Sequence, residues 1–169
     1  MLLIQVPSES LAAKQRTTGM YETKPVAIQV KLMKGNWTEA SAYKAVSSWL
    51  KLSTSQQTPI DVIAAQNDVM ALGARKAFQE IGAARARFLA APYIGIDRVS
   101  QTGQAWLRRG LLNATIIVPT NTGQALDMLV HAVQTGTLPP EKTLTVPKSL
   151  PIVEELARKP VQNAHAAGV

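Results

Sequence analysis

The sequence predicts a doubly wound α/β fold: a five-stranded parallel sheet with helices on both faces. Three observations predict it. Short apolar runs alternate five times with stretches of helical apolar spacing. The runs are mostly uninterrupted, as strands covered on both faces require. Polar or Gly/Pro punctuation follows each run, where a strand-to-helix loop belongs.

In chain order, Leu2-Leu3-Ile4-Gln5-Val6 reads as the first strand and stops at Pro7. Ser8 suits the N-cap of a helix carrying Leu11, Ala12 and Arg16, with Gly19 as a mark of close packing and Pro25 as punctuation. Val26 to Met33 is the second strand, and Lys34-Gly35-Asn36 its turn. A helix from Trp37-Thr38 to Leu52 places Ala42, Val46, Trp49 and Leu50 on one face. The polar stretch Ser53 to Thr58 is a loop, and Val62-Ile63-Ala64-Ala65 is the third strand. After Gln66, either Asn67 or Asp68 can cap a helix with apolar residues at Met70, Ala74, Ala77, Phe78 and Ile81, closed by Gly82. Arg85 to Ala91 is a connection of no assigned type.

Tyr93-Ile94-Gly95-Ile96 is the fourth strand, ending at Asp97. A short helix over Thr102 to Arg109 stops at Gly110, and Ala114 to Val118 is the fifth strand, ending at Pro119. The last helix of the repeat carries Ala125, Leu126, Leu129, Val130 and Val133, with Gly136 beyond its end. There the rhythm breaks. Leu138-Pro139-Pro140 reads as a linker, Leu144-Thr145-Val146 as a lone strand, Ile152 to Ala157 as a short helix and Asn163 to Val169 as a loose tail. None of these has a place in the five-stranded sheet. The division expected is an α/β lobe over residues 1–137 and an extension over residues 138–169.

Composition narrows the function classes. With 169 residues, 46% of them apolar and 17% charged, the chain can bury one real core and does not have the makeup of a disordered protein. No apolar run approaches the ~18 residues that span a bilayer, so no membrane insertion is expected. Met1-Leu2-Leu3-Ile4 lacks the basic start and cleavage site of an export signal. Cysteine is absent, which removes disulfides, thiolate metal sites and thiol nucleophiles together. The net charge of +7 is spread over Arg85, Arg87, Arg98, Arg108, Arg109 and others without a reading element, so a solvated basic surface is expected and nucleic acid is not.

Catalytic signals are poor. The carboxylates are spread along the chain without an H-E-x-x-H motif, and His131 and His165 read as solvent-exposed. Pro7-Ser8-Glu9-Ser10 after the first strand rules out a dinucleotide fingerprint or phosphate loop there. No catalytic residue, metal or cofactor is predicted.

Trp37, Asn67, Asp97 and Asn121 instead fall just past the ends of strands two to five. In a parallel sheet those ends share one edge, where open α/β folds bind ligands. Asp and Asn can grip neighbouring hydroxyls, and an indole can cover the apolar face of a sugar ring. Each one alone reads equally as a helix cap, a turn or a core residue.

The stretch Ala64-Ala65-Gln66-Asn67-Asp68-Val69-Met70-Ala71-Leu72-Gly73-Ala74 resembles the A-x-N-D-x-M-A-L-G-A signature of type I periplasmic sugar-binding proteins and of lac-repressor-type sugar-sensing domains. Ala13-Lys14-Gln15-Arg16-Thr17-Thr18-Gly19 is similar to that superfamily's A-x-x-R-x-x-G. Gly35-Asn36-Trp37 resembles its aromatic site, and Ile94-Gly95-Ile96-Asp97 its V-G-F-D. Gly110 to Ile116 resembles G-x-L-x-A-T-I, a form more typical of transport receptors than of repressors.

The resemblance covers Leu2 to Pro147 and only the C-terminal lobe of a two-lobed clamp. It implies a sugar-binding role, for a pentose or a hexose, in a receptor feeding an ABC transporter permease. The other reading is the effector half of a lac-repressor-type regulator; a third, outside the resemblance, is a stand-alone dimerisation module. Arg16 would donate to sugar oxygens, Trp37 would stack on the ring, and Asn67 and Asp97 would hold hydroxyls. Asn121 stands near the position of the Gln often found after the fifth strand. It further implies an absent N-terminal lobe, a periplasmic location for a full-length form with a signal peptide, and homo-oligomers through the uncovered interlobe face.

Overall fold

A computed structural model describes residues 1–7, 9–81, 86–97 and 101–158. Strands β1 (Leu2–Gln5), β2 (Lys31–Lys34), β3 (Ile63–Ala65), β4 (Tyr93–Ile96), β5 (Ala114–Ile117) and β6 (Lys148–Leu150) form one sheet in the order β2-β1-β3-β4-β5-β6. The first five are parallel, and β6 runs antiparallel to β5 with Leu150 opposite Thr115. From β1 the chain steps outward to β2, then returns across β1 to β3 and continues to β5. Right-handed crossovers then put α1 (Leu11–Thr23) on one face and α2 (Glu39–Leu50), α4 (Asp68–Gln79) and α6 (Gly103–Arg108) on the other. The reversal of direction lies between β1 and β3.

The core sits under α2 and α4. Leu2 and Ile4 of β1, Met33, Ile63 and Tyr93 meet Ala42, Val46, Trp49, Met70, Ala74 and Phe78 there. Leu2 and Ile4 share a face because strand side chains alternate, which sends Leu3 to the α1 side. Phe88 of α5 (Ala86–Ala90) closes the cluster, its ring centroid 4.8 Å from that of Phe78. Two glycines permit the close approach. A methyl at Gly73 would overlap the Glu39 carbonyl where α4 crosses α2, and one at Gly95 would overlap the Asp68 carboxylate.

The parallel sheet and its helices stand as expected, and the structure corrects several details. A sixth strand exists: the segment after the Pro-Pro linker joins the sheet at Lys148–Leu150 rather than forming a lone strand at 144–146. Its pattern Lys-Ser-Leu carries too little apolar signal to be seen, since an edge strand has less to bury. The second strand is only four residues long; Val26, 98% exposed, lies outside it. Ser10 rather than Ser8 caps α1, its hydroxyl accepting from the Ala13 amide; Ser8 lies outside the described residues, as do Gly82 and the tail from Asn163 to Val169. Gly19 marks no close packing, for nothing lies within 4 Å of an added methyl. The expected 53–58 loop contains the short helix α3 (Thr54–Gln57), and α8 (Val153–Arg158) follows β6.

The largest departure is α7 (Thr122–Thr135). Its apolar stripe was expected to cover the sheet, yet the helix has no buried residue, and Leu126 and Leu129 are each 59% exposed. Residues 118–147 leave the sheet after β5 and return as β6. No helix of the described residues is long and apolar enough to cross a membrane.

Candidate functional site

The carboxyl ends of β1 to β5 share one edge, and the strand order reverses between β1 and β3, the place where open α/β folds bind ligands. Arg16 reaches this edge from α1. One guanidinium nitrogen donates to the Gln66 carbonyl, and the other donates to Asp97 Oδ1 at 2.6 Å. The Arg16 guanidinium also lies over the Trp37 ring, 5.3 Å from its centroid. Asn67 completes the group, its side-chain N–H donating to the Trp37 carbonyl at 2.9 Å. Contacts therefore join Arg16, Trp37, Asn67 and Asp97 along one rim.

Two of these side chains are aimed by unusual backbone. Trp37 has φ of 59° and Asp97 φ of 103°, and no other non-glycine residue among those described has positive φ. Such conformations persist only where the surroundings over-determine them, and they concentrate at functional sites. Thr38 caps α2, so Trp37 lies in the tight turn between β2 and that helix. Asp97 follows β4, and its amide still donates to the Ile116 carbonyl as if the strand continued.

Asn67 has structural work as well. It is the N-cap of α4, its Oδ1 accepting from the Met70 amide at 2.9 Å while its Nδ2 holds Trp37. The cap reading and the site reading therefore apply to the same side chain. By count one amide hydrogen and one lone pair remain for a ligand. Asn121 does not join the four. It is exposed at the head of α7, its side chain makes no cap hydrogen bond, and it lines a separate 450 Å³ groove between α7 and residues 138–143.

Sequence reasoning missed two neighbours. Gln66 is buried and bonds to β1 and α1 through its carboxamide. Asp68, also buried, accepts from the Thr115 hydroxyl at 2.7 Å and ties α4 to β5. The available signal was the run of three polar residues at the end of a buried strand: polar groups placed there need partners inside the protein.

Chemically, the rim offers a cation and an anion that neutralise one another, an indole face and an amide. A hydroxyl brought to the Arg16–Asp97 pair could accept from the guanidinium and donate to the carboxylate at once. With side-chain exposures of 20% for Arg16 and 39% for Asp97, both groups are reachable from solvent. No group of three or more His, Cys, Asp or Glu among the described residues could hold a metal ion.

No family model and no curated protein matches the chain. Solved structures do. It superposes on a galactofuranose-binding protein with a TM-score of 0.71 at 24% identity, covering 88% of this chain and 50% of the other. The Caulobacter myo-inositol binding protein gives 0.66 at 23% identity, over 92% and 52%. A LacI-family transcriptional regulator from Arthrobacter, solved with lactose, gives 0.58 at 21% identity, over 84% and 49%. The chain thus spans about half the length of each, and it has the fold of a single lobe of a type I periplasmic binding protein.

Proposed function

We propose that the chain is a carbohydrate-binding lobe of a solute receptor for a sugar ABC transporter, with no enzymatic activity of its own. The observation that carries this reading is the meeting of Arg16, Trp37, Asn67 and Asp97 on one rim at the topological reversal. A neutral polyol suits a wall whose charges already pair; a sugar acid or phosphate would meet the Asp97 carboxylate. The neighbours named for galactofuranose and myo-inositol supply the same ligand class.

The rim is one wall of a clamp. In the proposed receptor a second lobe faces it, and residues 118–147, with the exposed α7, lie toward that lobe. Without such a cover, the apolar stripe of α7 favours self-association. Export to the periplasm and docking on a permease belong to the full receptor.

Calorimetry with pentoses, hexoses and inositol tests the reading. A lone wall leaves half of each buried hydroxyl's partners as water, so the expected dissociation constant is about millimolar or weaker. Asp97→Ala should abolish what binding remains. Micromolar binding would show a complete site, and binding indifferent to Asp97→Ala would refute the assignment. The similarity to the LacI-family regulator supports a second reading, the effector-binding half of a transcription regulator. A helix-turn-helix coding segment upstream in the gene would decide for it, and a signal peptide with a first lobe against it.

A further inference from the structure

We propose that Gln66 is a positioning residue that sets the orientation of Arg16 by stapling α1 to the carboxyl ends of β1 and β3. Every polar group of Gln66 is engaged. Its Oε1 accepts from the Val6 amide at 2.8 Å, just past the end of β1. Its Nε2 donates to the Ala13 carbonyl at 3.0 Å and to the Thr17 hydroxyl at 2.7 Å. Its backbone amide donates to the Ile4 carbonyl, and its backbone carbonyl receives Arg16.

Ala13 and Thr17 bracket Arg16 on α1, so the carboxamide grips the helical turn that carries the guanidinium. The grip matters because apolar packing holds α1 so little: Ala13 is its only buried residue. By contrast α4 buries eight. Polar bonds at 2% exposure therefore fix α1 over the sheet, where a packed helix would use side-chain interdigitation. The same residue presents the carbonyl that Arg16 binds. Position and partner of the guanidinium both come from Gln66, and Asp97 receives what they aim.

Only the consequence for sugar binding rests on the carbohydrate reading above; the positioning itself is measurable without sugar. The experiment is NMR of the Arg16 guanidinium in the full chain, its signals assigned by their loss in Arg16→Lys. Bonded at both terminal nitrogens, Arg16 should show hindered rotation about its Cζ–Nη bonds. Gln66→Met, of similar size and unable to hold Ala13 and Thr17, should let α1 shift so that Arg16 leaves the backbone carbonyl of residue 66, speeding that rotation about tenfold or more, as loss of that charge-assisted bond implies. Thr17→Val should give a smaller change in the same direction, and Thr17→Ser should restore the original signals.

Hindered Arg16 signals in a folded Gln66→Met protein would overturn the inference. If that variant does not fold, the Thr17 pair decides, and equal spectra for Val and Ser would overturn it equally. Release of Arg16 by Gln66→Met in a chain whose rim shows no response to sugar at about 100 mM would leave the positioning intact and defeat the carbohydrate reading instead.

Discussion

Helices α4 and α7 look alike in sequence and have opposite fates in the fold. Both carry apolar residues at helical spacing, both are 12 to 14 residues long, and each follows a parallel strand. The first buries Met70, Ala71, Ala74, Ala77 and Phe78 against the sheet and α2; the second buries nothing. The difference teaches that an apolar stripe fixes the type of element and the side that seeks cover. What provides the cover is decided by topology. A helix between two parallel strands must lie on the sheet, whereas one between β5 and an antiparallel β6 need not.

The sharpest way to break this comparison is a pair of truncations. Phe78→Ala should lower unfolding free energy by about 3–5 kcal/mol in urea titrations, as loss of a fully buried ring does. Leu129→Ala should leave it within about 0.5 kcal/mol. Comparable losses would mean that α7 packs on the lobe in solution.

A glycine pair sharpens it with opposite signs. Gly73→Ala should destabilise by about 1–3 kcal/mol, since the methyl meets the Glu39 backbone. In α7, nothing lies within 4 Å of a methyl at Gly123, so Gly123→Ala should stabilise by about 0.4–1 kcal/mol. Thermal melts of both variants read the two directions.

The core face also predicts a pH dependence that α7, with no tyrosine, cannot supply. Burial pushes the Tyr93 hydroxyl well above its usual pKa of 10.0, and that hydroxyl donates to the Phe88 carbonyl. The unfolded chain then ionises Tyr93 first and binds fewer protons than the native state. This contribution is fully present below pH 10.0 and is lost as pH rises beyond it. Stability measured from pH 9 to about 12 should fall, and Tyr93→Phe should flatten the decline. The smallest effect on stability belongs to Leu129→Lys with Val133→Lys. It should leave the melt unchanged and reduce the self-association seen by light scattering at high concentration.

Legibility followed the same physics. Tyr93–Ile96 stood at its true bounds because Pro92 and Asp97 bracket a continuous apolar run. The second strand was overextended because Val26 and Ile28 are apolar but lie outside the sheet, both exposed. β6 escaped notice because Lys148 and Ser149 on an edge carry no periodic signal. At the rim, Trp37, Asn67 and Asp97 could be grouped because the ends of parallel strands share one edge, whereas Arg16, on α1, entered only through the resemblance of its motif. Asn121 misled because it follows a strand end in sequence while its helix departs from the sheet. Gln66 went unread because its bonds reach residues about fifty and sixty positions away, a pairing that only the fold creates.

The most direct test is a two-dimensional NMR titration of the full chain with a neutral hexose, carried to about 100 mM against the millimolar affinity expected. The predicted result is a set of shifts confined to Arg16, the Trp37 indole, the Asn67 amide and the neighbourhood of Asp97, moving together and absent in Asp97→Ala. Shifts gathered on any other surface, with those four residues unmoved, would contradict the account.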